Sequence, residues 1–171
     1  MQQHDFAASL KVEETNAHLA EEALRHFFPT GTITRTPSGP NAAQFNGEDY
    51  KILLPSGKAL TVDAKADTYD TGNMVIEYWN IHDDGRTPTP GWAIKETTND
   101  YILYQFVNTG TSYLLDKQRL LVLANQHQRT WCKRHRITKC RNKTFTTSNI
   151  LLPLTEVDTL FGTASKWTHE K

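Results

Sequence analysis

Apolar residues recur at helical spacing over residues 11 to 28, where Val12, Ala17, Ala20, Leu24 and Phe27 form one stripe that Pro29, Thr30 and Gly31 end. The pattern then shortens. It predicts a short strand over 32 to 35, a Pro/Gly/Asn/Ser-rich loop over 36 to 46, and two strands near 49 to 54 and 59 to 65 joined by Pro55-Ser56-Gly57-Lys58. A third strand is expected over 74 to 78, an excursion over 82 to 92, and a short helical turn over 93 to 99. Residues 101 to 107 are almost continuously apolar, the signature of a central strand, and 111 to 115 pair as another. Asp116 stands where a helix cap is needed, ahead of a helix whose buried side is marked by Leu120, Leu121, Leu123, Ala124, His127 and Trp131. A strand over 145 to 151 and a short helix over 154 to 161 follow, and the last ten residues are expected to fray. The order αβββαβ predicts an α/β fold with a mixed central sheet flanked by helices.

With 171 residues the chain is long enough for one well-buried domain. The expected division is a core over about 11–131, a basic segment over 127–143 and a C-terminal strand and helix over 145–161. Composition is ordinary, with 37% hydrophobic and 22% charged residues, and no apolar run approaches a membrane span. The first residues lack the basic and apolar regions of a secretion signal, so the cytoplasm is the expected compartment.

The net charge of zero conceals a division. Residues 1–100 carry 8 Lys/Arg against 15 Asp/Glu, whereas residues 101–171 carry 11 against 4. An acidic half can concentrate cations and a basic half can meet a polyanion; the plainer alternative is mutual neutralisation across the fold. The cations concentrate in residues 127 to 143, which hold Arg129, Lys133, Arg134, Arg136, Lys139, Arg141 and Lys143 and no acid. Such a tract suits phosphate contacts with DNA. Trp131 within it is a core anchor by preference and a stacking surface as the alternative. Cys132, His135 and Cys140, with His127 upstream, can also be written as zinc ligands, but the spacing lacks a paired Cys-x-x-Cys.

The chemistry-bearing pattern lies between Asp49 and Lys65. Asp63 and Lys65, two apart on a strand, must share a face while Ala64 takes the other, and the hairpin brings Asp49 back beside them. Two carboxylates and an ammonium suit a divalent cation, with the lysine left to position or activate a water. Glu13 lies along the helix's core-facing stripe, either as an outer ligand or as an ordinary first-turn glutamate. Glu77 is a candidate to approach the site from the third strand, or an acid on an exposed rim. Arg35 and Ser38 are candidates to hold a phosphate backbone.

The order acid, then Asp63-Ala64-Lys65 on a second strand, resembles the PD-(D/E)XK nuclease superfamily. Glu13 on a helix and the loop Arg35-Thr36-Pro37-Ser38-Gly39 make the chain similar to the small Holliday junction resolvases of that superfamily, and residues 71 to 78 resemble a third-strand pattern of phage-type members. The likeness covers roughly residues 11 to 107. In place of the family's usual proline before the first acid stand Gly47-Glu48, and the triplet opens on Asp63 rather than glutamate. No Gln-x-x-x-Tyr follows the third strand, which disfavours the RecB-like exonuclease branch. The resemblance implies a restriction-endonuclease-like core and a Mg²⁺- or Mn²⁺-dependent deoxyribonuclease with no small-molecule cofactor, its metal held by Asp49, Asp63 and the Ala64 carbonyl. It further implies a homodimer acting on branched DNA, as in phage recombination within a host cytoplasm. A recombination exonuclease and an inactive DNA-binding module of the same fold are the competing expectations.

Overall fold

The computed structural model describes residues 11–12, 14–36 and 48–169. Among the described residues lie the α-helices α1 (Ala17–Phe27), α2 (Lys117–Arg134) and α3 (Leu154–Phe161), a 3-10 turn over Thr163–Ser165, and ten strands. The strands are β1 (Thr32–Arg35), β2 (Tyr50–Leu53), β3 (Ala59–Asp67), β4 (Asn73–His82), β5 (Thr89–Pro90), β6 (Tyr101–Phe106), β7 (Thr111–Asp116), β8 (Ile137–Arg141), β9 (Phe145–Pro153) and β10 (Lys166–Thr168). They form a six-stranded sheet in the order β1-β2-β3-β6-β7-β10 and a four-stranded sheet in the order β5-β4-β9-β8. The fold is mixed α/β, and the six-stranded sheet is itself mixed, because β3 and β6 run parallel while its other neighbours are antiparallel. Among the described residues no helix is long and apolar enough to cross a membrane.

By its contacts the chain divides into two interleaved units, one containing Thr71–Glu96 and Gln118–Leu160, the other the described residues of Val12–Asp70, Thr97–Lys117 and Phe161–Lys171. The second unit holds the six-stranded sheet. Ala20, Ala23 and Leu24 of α1 pack against Tyr50, Ile52, Leu60, Val62 and Leu103, all buried, so α1 covers one face of that sheet. Burying an aliphatic side chain of this size contributes about 1.5–3 kcal/mol. The small alanines let the helix backbone approach the sheet closely. Residues 59 to 67 alternate across the sheet, so Val62 and Ala64 turn toward α1 whereas Asp63, Lys65 and Asp67 stand on the opposite face.

The first unit holds the four-stranded sheet. Met74, Ile76, Ile150 and Leu152 are buried on one face, where Tyr78 donates its hydroxyl to the Ala124 carbonyl of α2 at 2.9 Å. A bulge between Glu77 and Trp79 shifts the β4–β9 register and bends the strand there. Gly91 follows β5 where a Cβ would lie 2.6 Å from the Glu77 backbone, so only glycine admits this close return of the chain.

The strand expected over 74 to 78 is therefore correct in place, but β4 pairs with β5 and β9 rather than with β3. The order is also longer than αβββαβ, because β5, β8 and β10 are short strands with little apolar alternation. The basic segment falls on two elements: its first half is the end of α2 and its second half is β8. The C-terminus does not simply fray. Lys166, Trp167 and Thr168 pair with β7, and Trp167 stacks on His26 with ring centroids 5.6 Å apart.

Candidate active site

The antiparallel ladder of β2 and β3 ends at the pair Tyr50 and Val62, and one further step along the same register sets Asp49 beside Asp63. Three contacts fix the carboxylates there. The Asp49 backbone N–H donates to the Val62 carbonyl at 3.0 Å, the Ala64 N–H donates to Asp49 Oδ2 at 2.8 Å, and Lys65 Nζ donates to Asp63 Oδ1 at 2.7 Å. Thr61 turns its backbone N–H and carbonyl toward Asp100, on the β6 side. Alternation then directs the backbone groups of Val62 and Ala64 to the β2 side, so the Ala64 carbonyl points past the end of β2, on the flank that Asp49 occupies.

Asp63 is only 6% exposed, and its carboxyl is pushed up from 3.8 to about 7. Burial is the largest cause, the Lys65 charge opposes it, and the neighbouring Asp49 carboxylate adds to the rise. A carboxylate that retains a proton near neutrality beside a second carboxylate marks a site short of positive charge. A hard divalent cation suits that shortage: Mg²⁺ commonly takes one or two carboxylates and completes its shell with waters and substrate phosphate oxygens. Among the described residues no group of three or more His, Cys, Asp or Glu side chains gathers at one point. A cation at this site would rest on Asp49, Asp63 and the Ala64 carbonyl.

The other expected site residues are placed variously. Glu13 and Ser38 lie outside the described residues. Arg35 is exposed on β1 opposite Tyr50, and directly paired residues share a face, so its side chain starts on the α1 side of the sheet, away from Asp63. The Thr36 N–H nonetheless donates to the Asp49 carbonyl at 2.8 Å, which ties that loop's first residue to the site's backbone. Glu77 lies on β4 of the four-stranded sheet in the other unit, where its Oε1 accepts from Asn80 Nδ2 at 3.2 Å.

Of the seven cations in the basic segment, Arg141 is matched by an acid that sequence distance hid. Asp83 receives both ends of its guanidinium, one at 2.7 Å, and this pairing holds the Asp83 carboxyl below its ordinary range. Arg129, Lys133, Arg134, Arg136, Lys139 and Lys143 are exposed, and none is in an ion pair among the described residues. Trp131 is buried as a core anchor, with its indole N–H donated to Glu156 at 2.8 Å. His135 Nε2 lies 2.9 Å from the second Glu156 oxygen, Cys132 is exposed, and Cys140 accepts from the Asn149 amide at 3.6 Å. His135 and Cys140 thus have separate partners, and no group of three His, Cys, Asp or Glu gathers around them among the described residues.

Two polar residues near the site were not legible. Asp67, on the face of Asp63 and Lys65, is buried and accepts from the Tyr104 hydroxyl at 2.6 Å and the Tyr69 N–H at 2.8 Å, which makes it a structural brace at the end of β3. Lys117 is 1% exposed at the junction of β7 and α2, although a lysine that opens a helix reads as solvated. Only its place directly after the apolar run of β7 hinted at burial.

No protein-family model matches the chain, and no curated protein matches it. Among solved structures, a bacterial homing endonuclease, I-Ssp6803I, is similar with a TM-score of 0.43 and 16% identity, over 66% of this chain and 71% of that one. A likeness of that size assigns neither fold family nor activity.

Proposed function

We propose that the chain is a divalent-cation-dependent nuclease that hydrolyses phosphodiester bonds in DNA. The observation that carries this reading is the pairing of Asp49 with Asp63 at the end of a strand ladder, with Lys65 held 2.7 Å from Asp63 and the Asp63 carboxyl raised to about 7. The order of these residues, which resembles PD-(D/E)XK nucleases of restriction-endonuclease-like fold, supports the same reading. Asp49, Asp63 and the Ala64 carbonyl would hold Mg²⁺ or Mn²⁺, which when bound supplies charge to the scissile phosphate and its leaving oxygen. Lys65, with its side chain 30% exposed, presents an ammonium that orients the attacking water and meets charge developing on a phosphate oxygen. Asp63 fixes that ammonium through the ion pair, and Asp49 fixes the strand through Ala64.

The resemblance to resolvases supports an endonuclease that works as a homodimer on branched DNA, since two symmetric incisions need two sites. The exposed cations of α2 and β8 supply phosphate contacts in this reading. The deciding experiment measures DNA cleavage in Mg²⁺ or Mn²⁺ by the parent, Asp63→Asn and Lys65→Ala. Loss of more than a hundredfold in both variants, with circular dichroism unchanged, is the expected result. Activity within tenfold of the parent in either would reject this site.

A further inference from the structure

Beyond the bulge in β4, the four-stranded sheet carries a surface that the candidate active site does not use. Trp79 is 37% exposed and Ile81 is 42% exposed, both on strand β4. With Thr87, Pro88 and Ser148 they line an open, almost wholly apolar pocket of about 360 Å³, near the lower end of the roughly 300–1,000 Å³ typical of ligand sites. Trp79, Ile81 and Pro88 thus offer an aromatic and apolar surface open to solvent.

The register shows what surrounds it. Trp79 pairs with Ser148 and Ser148 with Lys139, while Ile81 pairs with Thr146 and Thr146 with Arg141. Directly paired residues share a face, so two parallel rows cross the sheet, each running from an apolar side chain through a hydroxyl to a cation. Arg141 is neutralised by Asp83; Lys139 is exposed and in no ion pair among the described residues. Two strand spacings, about 10 Å, separate the backbone of Trp79 from that of Lys139. A flat apolar floor with a hydroxyl beside it and a lysine at that distance matches one nucleotide: base, sugar and phosphate in turn.

We propose that this face binds an unpaired stretch of DNA, with a base stacked on Trp79 and the adjoining phosphate held by Lys139. The inference rests on the DNA reading given above and narrows it to a substrate with single-stranded character. A paired base hides its faces within the duplex, whereas an unstacked one offers a π-face that an aromatic side chain accepts whatever its identity. A second copy of the chain fits the surface less well, because a stable protein interface needs about 800 Å² per partner and a charge-depleted centre.

The test is equilibrium binding of the full chain, with EDTA to prevent cleavage, to a fluorescein-labelled thymidine homopolymer and to a blunt duplex of equal length. Trp79→Ala is expected to weaken single-strand binding by roughly fivefold to a hundredfold and duplex binding by less than about twofold, with Trp79→Phe close to the parent. Lys139→Ala should flatten the single-strand salt slope by about 0.7, while Trp79→Ala leaves that slope unchanged. Equal losses on both DNAs, or none on the single strand, would overturn the inference and leave the nuclease reading standing. A parent that binds neither DNA would overturn both. Conversion of a parent dimer to monomer by Trp79→Ala, seen by sedimentation, would reassign the face to self-association and overturn the inference alone.

Discussion

Asp49 accepts the backbone N–H of Ala64 at 2.8 Å, so its side chain extends the strand pairing one step past the point where its own backbone N–H bonds the Val62 carbonyl. The contact replaces a missing strand-to-strand bond with a charge-assisted one and fixes the carboxylate beside Asp63. A single side chain thereby does structural and electrostatic work: it satisfies Ala64 and raises the Asp63 carboxyl. These two effects can be separated by substitution.

Asp49→Asn keeps an oxygen for the Ala64 N–H but removes the charge, so the Asp63 carboxyl should fall below its present value of about 7. Lys65→Ala removes the opposing cation and should raise it. Carboxyl-carbon chemical shifts of labelled aspartate, followed through a pH titration, report both. Shifts of the same sign in the two variants would refute the assigned geometry.

The same carboxyl makes stability and cation binding depend on pH. Asp63 rises from 3.8 to about 7 on folding, so between those values the folded chain holds the extra proton, and the stability this confers is lost as pH climbs through about 7. The change amounts to roughly 4 kcal/mol at full ionisation, taking about 1.36 kcal/mol per pKa unit. A divalent cation must displace that proton. Mn²⁺ should therefore raise the melting temperature more at pH 8 than at pH 6, and Asp63→Asn should abolish the difference while flattening the pH profile of the apo chain. Equal shifts at both pH values would place the cation elsewhere.

The hairpin and its acids were legible because local rules set them: alternation fixes the shared face of Asp63 and Lys65, and the Pro55–Lys58 turn returns the chain to Asp49. Partnerships made over long sequence distance were not. Nothing near Arg141 announces Asp83, and nothing near Met74 says that β4 pairs with β9 instead of β3. Trp79 escaped notice because it follows a run of alternating apolar residues, and the bulge that changes its neighbours leaves no mark in composition. Length argued for one domain, and by its contacts the chain passes in alternation through two compact units.

The ion pair of Arg141 with Asp83 alters what charge removal should do. Removing Arg136 and Lys143, which are exposed and outside any ion pair among the described residues, should flatten the slope of log affinity against log salt by about 0.9 per lost contact on duplex DNA. Arg141→Ala should leave the slope nearly unchanged, because its charge is already met by Asp83. Fluorescence anisotropy over a salt series measures both. A larger slope change from Arg141→Ala than from the double variant would reverse the assignment.

On the proposed nuclease reading, the resolvase resemblance and the exposed Trp79 surface together predict a substrate preference. A four-way junction or a flap supplies both duplex arms for the cations of α2 and single-stranded character for the sheet face, whereas a blunt linear duplex supplies only the first. The chain should cut branched DNA at least tenfold faster than linear duplex of the same length and should incise a closed circle that contains a bubble. An exonuclease built on the same carboxylates would instead shorten strands from free ends and leave circles whole. Denaturing gels of end-labelled junction, flap, linear and bubble-circle DNA separate the outcomes: progressive shortening with intact circles would reject endonucleolytic cleavage, while loss of all activity in Asp63→Asn would still assign the chemistry to the paired carboxylates.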